Sequence, residues 1–344
     1  MQAVVITSAG VGRVEDVPMP RPGRNELLVR VAAAGVCLSG VELLEGSRPP
    51  AYVRYPVTPG HEWSGTVAEV GSAVTGFAIN DRVAVEGHNY CKKCLPCQRA
   101  DTNLCLAYDE LGFTRPGAFA EYVAVRSDLA HTFNAALPLE AAALTEPASC
   151  VANGLLRAQI RSGEMVVVIG PGTIGLLAVA WVRQLGAAQV LAVGLNADNA
   201  QRARAMGATH YAASPTEAAE ITAALTNQRG ADTAIEAAEH PAAFTLAADL
   251  VRRGATLVTI GISGGSAPLQ LPADMLCLKE LRVHGVFAYT TTHFKHTLRA
   301  IESETLRLAP LITHRLPLAS FREALRLLRD KTEPVGKILL RPGA

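Results

Sequence analysis

Six short apolar runs separated by helical segments occupy the middle of the chain. They are MVVVIG (165–170), AQVLAVG (188–194), THYAA (209–213), ADTAIEAA (231–238), ATLVTIGI (255–262) and LRVHGVF (281–287). Unbroken runs of Val, Ile and Ala are typical of parallel strands that are buried on both faces. This alternation predicts an α/β unit over residues 151–287, in which helices cover both faces of an open, doubly wound parallel sheet.

The segments on either side follow other patterns. Residues 1–150 contain short β-type runs separated by Gly and Pro, which predicts a compact, barrel-like β domain. Residues 288–344 contain an amphipathic helix (FREALRLLRD) and a final strand (GKILLRP). This last segment is too short to be a domain, so we expect it to pack back on the first one. Two domains also fit the length of 344 residues, because single cores stop growing at about 250–300 residues.

The charge and hydropathy of the chain indicate which kinds of partner and which compartment to expect. The formal net charge is +1, and the chain has no block of like charges. Nucleic acids and anionic membranes bind clustered basic surfaces, so we expect a small-molecule partner instead. The N-terminus lacks the pattern of a secretory signal, and no run approaches the roughly 18 apolar residues of a membrane-spanning helix. We therefore expect a cytoplasmic protein.

A glycine-rich loop follows the first of the six runs. Gly170, Gly172 and Gly175 fit the pattern G-x-G-x-x-G, and Thr173 opens the helix that comes next. Glycines let the backbone approach a pyrophosphate, whose charge then lies at the positive end of the helix. The loop predicts a dinucleotide site, and a glycine turn without a ligand is the alternative.

The second run ends at Gly194, where an NAD site usually carries an acidic residue that binds the ribose. Without that carboxylate, a 2′-phosphate would not be repelled, which favours NADP over NAD. Arg202 is the nearest cation that follows, and we expect it to bind this part of the cofactor together with Asn199.

Four cysteines lie within fifteen residues, at Cys91, Cys94, Cys97 and Cys105. Zinc takes four tetrahedral ligands, and two-residue gaps in a short loop supply that geometry. The protein would fill all four positions and leave none for a substrate, so we predict a structural zinc. Reduced thiols without metal and an iron–sulfur cluster are the alternatives.

A second group of metal-binding side chains consists of Cys37, His61 and Glu62. Each is unremarkable alone, because a lone cysteine is usually a small apolar side chain. Together with a dinucleotide fold and a zinc lobe, they form a three-ligand set that leaves one position open. An open position is typical of catalytic zinc.

With these motifs the chain resembles the medium-chain zinc-dependent alcohol and polyol dehydrogenases, the family of sorbitol and threonine dehydrogenases. The resemblance covers essentially the full length and includes the GHE segment with its following glycines, the four-cysteine lobe, LTEP (144–147), GPGTIG and the closing GKILL. It implies a GroES-like catalytic domain over 1–150 with a zinc lobe at 88–106. It also implies a Rossmann domain over 151–287 and a C-terminal segment, 288–344, that returns to the catalytic domain.

The resemblance also assigns roles to individual residues. Cys37, His61 and Glu62 would bind a catalytic zinc, with Glu146 as fourth ligand or as a carboxylate that exchanges with water. Because one thiolate and one carboxylate already cancel the charge of Zn²⁺, we expect Glu146 to leave the metal when substrate binds. Ser39 would take the alcohol proton. The positions that would line the cofactor are Ile174, Ile260, Gly261, Ile262, Val286 and Phe287.

Three positions depart from the family pattern. Gly40 stands where members usually have an Asp that orients the ligand histidine. Glu42 stands where they often have a His at the end of the proton relay, so we predict that it ends the relay or contacts substrate; a solvated surface carboxylate is the alternative. Ala288 replaces an Arg that contacts the sugar chain in sorbitol dehydrogenases. The segments GHEWSG and LGFTR also resemble cyclitol (deoxy-inosamine) dehydrogenases.

The resulting expectation is an oxidoreductase that holds two Zn²⁺ per chain. It would transfer a hydride between a secondary alcohol, of polyol, sugar-alcohol or cyclitol type, and NADP or NAD. A threonine-type amino-alcohol dehydrogenase and a non-catalytic cofactor-binding protein are the alternatives. ATLVTIGI is predicted to be an apolar edge strand, which favours a homodimer or a homotetramer.

Overall fold

A computed structural model describes residues 1–262, 268–269 and 271–343. The β-strands of this part of the chain are β1 (Gln2–Ser8), β2 (Val11–Asp16), β3 (Glu26–Gly35), β4 (Glu62–Val70), β5 (Arg82–Val85), β6 (Tyr122–Arg126), β7 (Ala130–Thr132), β8 (Met165–Ile169), β9 (Gln189–Val193), β10 (His210–Ala212), β11 (Ala231–Glu236), β12 (Val251–Thr259), β13 (Arg282–Gly285), β14 (Ile312–Pro317) and β15 (Lys337–Arg341).

The α-helices of the same residues are α1 (Leu38–Glu45), α2 (Leu95–Gln98), α3 (Leu139–Ala143), α4 (Thr145–Ala158), α5 (Thr173–Gln184), α6 (Ala200–Ala205), α7 (Pro215–Thr226), α8 (Pro241–Leu250), α9 (Ala273–Leu278), α10 (Thr291–Glu302) and α11 (Phe321–Asp330). Single turns of 3₁₀-helix lie at Pro50–Tyr52, Thr102–Leu104, Ser127–Leu129, Ala309–Leu311 and Leu318–Ser320.

The chain forms two compact units. The first comprises residues 1–146, 290–303 and 312–344, and the second comprises 147–289 and 304–311. The C-terminal segment 288–344 is thus divided, because residues 288–289 and 304–311 belong to the second unit while 290–303 and 312–344 belong to the first. The sequence predicts that all of 288–344 returns to the first unit, so this division differs from the prediction.

The first unit is built around a mostly antiparallel sheet with the order β14-β15-β3-β4-β5-β7. The long strand β3 pairs with β15 at its C-terminal end and with β6 at its N-terminal end. Valine, leucine and aromatic side chains from these strands form one buried core, which the apolar face of α11 also enters through Phe321 and Leu325. This is the GroES-like domain that the resemblance implies.

The second unit contains a six-stranded parallel sheet in the order β10-β9-β8-β11-β12-β13. All six predicted strands form, and their order is that of a Rossmann fold, so the predicted fold class is confirmed. The prediction that ATLVTIGI forms an edge strand is wrong. It lies in β12, which pairs with β11 on one side and with β13 on the other. The edge strand on this side of the sheet is β13.

None of the helices in residues 1–262, 268–269 and 271–343 combines the length and the apolar character that crossing a bilayer requires.

Candidate metal centres and cofactor loop

The register of three strands brings the first metal-binding group together. Gly35 at the end of β3 pairs with Glu62 at the start of β4 and with Leu339 in β15. Cys37 follows two residues after β3, in extended backbone at the N-cap of α1. His61 and Glu62 therefore enter the sheet beside the point where Cys37 leaves it.

The donor atoms of Cys37, His61 and Glu62 lie within 4.8 Å of one another. His61 and Glu62 are buried, and Cys37 is partly buried. Burial raises the pKa of the Cys37 thiol, and the nearby Glu62 charge raises it further. A thiolate at this position therefore needs a cation beside it, as a metal ligand would have. The structure brings the three predicted residues together, while their ligation of zinc stays a prediction.

Glu146 lies close to the same group and is 5% exposed. Burial raises its pKa to about 8; His61 opposes this shift, and the charges of Glu62, Glu110 and Cys37 add to it. Without a cation, this carboxyl group is therefore mostly protonated at neutral pH. Binding of a divalent cation would favour its ionised form.

Lys337, the first residue of β15, also belongs to this site, and the sequence does not predict it. Its ammonium is 2.5 Å from Glu62 Oε2, and both side chains are buried. Although burial opposes it, the Glu62 and Cys37 charges raise the pKa of Lys337. When Cys37, Glu62 and Glu146 are all ionised, one ammonium balances one of the three negative charges. The two that remain match a divalent cation, so the residues fit zinc.

The packing around Gly40 explains why this position does not carry an Asp that would orient His61. A side chain at Gly40 would point at Leu325 Cδ2, 3.2 Å from the Cβ position. That space belongs to the apolar core rather than to a carboxylate. The His61 ring lies instead beside the ring of Phe113, with centroids 4.9 Å apart. Gly60, just before His61, has a φ of 104° and packs directly on the backbone of Phe119, so a side chain there is excluded.

The two residues predicted for proton transfer lie on α1. The Ser39 hydroxyl oxygen is buried and interacts with the Cys37 thiol. Glu42 follows three residues later, so both project from the same side of the helix. A carboxylate oxygen of Glu42 lies 3.6 Å from a guanidinium nitrogen of Arg48, and the Glu42 side chain is 32% exposed. Glu42 is therefore part of an ion pair that reaches solvent, as the end of a relay must.

We expect Glu42→Gln to lower kcat about tenfold and to change its dependence on pH, because the amide cannot exchange a proton. The matched control is Glu45→Gln on the same helix, where the carboxylate is exposed and pairs with Arg329 at 3.3 Å. Initial rates from pH 6 to pH 9 make the comparison. An unchanged profile for Glu42→Gln would make Glu42 a surface carboxylate.

The four cysteines of the lobe converge as predicted. All four sulfur atoms lie within 4.8 Å of one another; Cys91 and Cys97 are 4.0 Å apart, and Cys94 and Cys105 are 3.9 Å apart. These separations are close to the roughly 3.8 Å edge of a tetrahedron with 2.3 Å bonds to one ion. They are far too long for disulfides. The geometry supports a single zinc, and we retain that prediction over an iron–sulfur cluster.

Backbone N–H groups lower the pKa of two of these thiols and so favour the thiolate form that binds metal. The N–H groups of Lys93 and Cys94 lower the pKa of Cys91 to about 6, and those of Cys97 and Leu106 lower the pKa of Cys94. Burial raises the pKa of Cys97 to about 12. A bound Zn²⁺ would deprotonate a coordinating thiol outright.

The glycine-rich loop has the shape that a dinucleotide site requires. Gly170 follows β8 with a φ of 92°, and a Cβ at Gly175 would lie 1.9 Å from the Gly170 carbonyl oxygen. Both positions therefore exclude a side chain. Gly172 is the N-cap of α5, and no described atom lies within 4 Å of its Cβ position. This open space before Thr173 and Ile174, at the start of a 12-residue helix, fits a pyrophosphate.

The end of β9 shows why this chain lacks an acidic residue there. A Cβ on Gly194 would lie 2.2 Å from the Tyr211 hydroxyl, which donates a hydrogen bond to the Asn196 carbonyl at 2.8 Å. Tyr211 thus occupies the space that a carboxylate would need. At the start of α6, Arg202 donates to the Asn199 side chain at 2.6 Å. Arg202 and Asn199 therefore contact each other in the segment that follows Gly194, while their binding of the cofactor stays a prediction.

The remaining predicted cofactor residues follow the carboxyl ends of two more parallel strands. Ile260, Gly261 and Ile262 come after β12, whereas Val286 and Phe287 come after β13. Val286 donates its backbone N–H to Thr259, and a Cβ on Gly261 would crowd Glu236. Ligands of parallel sheets bind at the carboxyl ends of strands, so these positions suit a cofactor.

Comparison with known protein families matches both units. Residues 23–135 match the alcohol dehydrogenase GroES-like domain, and residues 173–303 match the zinc-binding dehydrogenase domain. A sorbitol dehydrogenase of Halalkalibacterium halodurans is 32% identical over 99% of both chains. An L-threonine 3-dehydrogenase of Rhizobium etli is 29% identical over 99% of this chain and 98% of its own.

A solved structure agrees with these sequence matches. A zinc-binding dehydrogenase from Sinorhizobium meliloti, crystallised with NADP, has a TM-score of 0.91 and 30% identity over 99% of each chain. Fold, motifs and full-length relatives therefore agree, and the chain belongs to the medium-chain zinc-dependent alcohol and polyol dehydrogenase family.

Proposed function

We propose that the chain transfers a hydride between a secondary alcohol and a nicotinamide cofactor, with zinc at Cys37, His61 and Glu62. The observation that carries this proposal is the buried donor set, whose excess of two negative charges a divalent cation would balance. When bound, zinc lowers the pKa of an alcohol and nicotinamide accepts the hydride. A second zinc would occupy the four-cysteine lobe.

Side chains of this protein would transfer the alcohol proton to solvent. The buried Ser39 hydroxyl is positioned to accept the alcohol proton, and Glu42 to pass it to solvent. Burial raises the pKa of Glu146 to about 8, so this group can change between its neutral and ionised forms near neutral pH. We propose that Glu146 binds the metal when substrate is absent and leaves it when substrate enters.

The substrate class follows from the relatives and from one substitution. The matched relatives are sorbitol and threonine dehydrogenases, which act on secondary alcohols that carry further polar groups. Ala288 removes the Arg expected for an acyclic sugar alcohol, so we favour a cyclic or amino-bearing polyol. A threonine-type amino alcohol is the second candidate.

The direct test is a substrate screen with a metal analysis. Sugar alcohols, cyclitols and amino alcohols are each incubated with NAD and with NADP, and reduced cofactor is followed by absorbance. Two zincs per chain and turnover of a polyol support the proposal. One zinc and no turnover would indicate a non-catalytic cofactor-binding protein.

We propose NADP as the preferred cofactor, because Gly194 and Tyr211 exclude the carboxylate that binds the NAD ribose. Arg202→Ala is expected to raise the KM for NADP about tenfold while the KM for NAD changes little, since only NADP carries the 2′-phosphate. Arg204→Ala, an exposed arginine on the same helix, is the control. Equal changes for both cofactors would place Arg202 outside the phosphate site.

The edge of the parallel sheet supports a proposal about assembly. The edge strand β13 carries Val283, which is 41% exposed, and the preceding α9 ends at Leu278, which is 71% exposed. An uncovered edge strand favours pairing with a second copy. We propose a homodimer or a homotetramer in the cytoplasm; the mass measured by analytical ultracentrifugation tests the assembly.

A further inference from the structure

Lys337 is buried beside the metal-binding group. Its side chain is 2% exposed and that of Glu62 is 3% exposed, so solvent screens neither charge. The ammonium donates to Glu62 Oε2 at 2.5 Å and to the Val36 carbonyl at 3.2 Å. It is therefore anchored to the backbone just before Cys37 and to the side chain of a predicted ligand.

The neighbouring strand holds Glu62 from the other side. A Cβ on Gly35 would lie 2.2 Å from Glu62 Oε2, so only glycine lets this oxygen reach its position. Oε2 is thus held between the Gly35 backbone and the Lys337 ammonium. A carboxylate held at one oxygen presents the other in a defined direction.

We propose that Lys337 is a positioning residue that fixes Glu62 as a ligand of the catalytic metal. This inference rests on the proposed function. It also changes the charge balance expected from the sequence, because the ammonium adds one positive charge beside the carboxylate and thiol groups of the site.

The test uses the zinc-loaded, full-length chain and its Lys337→Met variant, dialysed against a chelator while zinc per chain is followed by mass spectrometry. We expect the variant to lose the zinc of the Cys37 site about 10 to 100 times faster than the wild type. Effects of this size are typical of groups that orient metal ligands. The four-cysteine zinc should leave at the wild-type rate. With cobalt in place of zinc, the visible spectrum of the Cys37 site should change.

Lys279→Met is the matched control, because that ammonium is bound by the carbonyls of Ala248 and Val251 in the second unit. It should keep both metals. Glu62→Gln/Lys337→Met removes both charges, so it avoids an unpaired buried charge and remains measurable if Lys337→Met does not fold. Its metal loss should equal that of Glu62→Gln alone, whereas an additional loss would overturn the inference.

The remaining outcomes are distinct. A wild-type chain that holds a single zinc, in the four-cysteine lobe, would overturn the proposed function and this inference with it. A wild-type chain with two zincs, whose Lys337→Met variant keeps both at the wild-type rate with an unchanged cobalt spectrum, overturns only the role of Lys337.

Discussion

His61→Ala is expected to abolish turnover, with a fall in kcat/KM of about a thousandfold or more and the loss of one zinc per chain. Removal of the imidazole leaves one thiol and the carboxylates of Glu62 and Glu146, and the loss of one protein ligand is expected to release the metal from the Cys37 site. Loss of the Lewis acid costs several kcal/mol of transition-state stabilisation, and each 1.4 kcal/mol is about tenfold in rate. Zinc analysis and steady-state kinetics on the purified variant make the measurement.

The control for this experiment is His314→Ala, a partly exposed histidine of the same unit whose ring pairs with Glu333 at 2.7 Å. It should keep both zincs and wild-type rates. Cofactor binding by His61→Ala, measured by fluorescence of reduced nicotinamide, should persist, since the glycine-rich loop belongs to the other unit. A His61→Ala variant with two zincs and normal turnover would contradict the proposed metal centre.

Cys94→Ser is expected to lose the other zinc and to lower the thermal midpoint by about 10 °C. The lobe has little to hold it besides metal, because its helix α2 spans four residues with none buried, and Leu95, Leu104 and Leu106 are exposed. Without four thiolates, the segment between Cys91 and Cys105 should unfold locally. Calorimetry, zinc analysis and limited proteolysis together report these changes.

Cys277→Ser is the control for Cys94→Ser, because the Cys277 thiol is exposed. It belongs neither to the four-cysteine lobe nor to the Cys37 site. It should leave the melting temperature and the metal content unchanged. Retention of two zincs by Cys94→Ser, or an unchanged protease sensitivity of the lobe, would show that the lobe folds without its metal.

The features that sequence analysis predicted well are local. The four cysteines sit in one short loop, and the glycine-rich motif joins one strand to the next helix, so spacing alone contains most of their geometry. The six parallel strands are equally readable, because burial on both faces requires continuous apolar runs. In each of these features, the residues that form the structural unit follow one another closely in the sequence.

The features that it missed depend on distant pairings. Lys337 reaches Glu62 only because β15 lies beside β3, and nothing in GKILL distinguishes a buried lysine from an exposed one. The position of ATLVTIGI was wrong for a similar reason. An apolar run shows that a strand is buried, whereas its neighbours depend on the order of the whole sheet.

The pairing of β15 with β3 also has a consequence for biosynthesis. Cys37 and Glu62 emerge early from the ribosome, but the ammonium that neutralises Glu62 belongs to a strand made some three hundred residues later. Until that strand docks, no ammonium holds Glu62 Oε2 in place. Zinc captured in the cell before β15 docks would therefore meet a ligand that is not yet fixed, and final loading of the Cys37 site should follow the docking of β15.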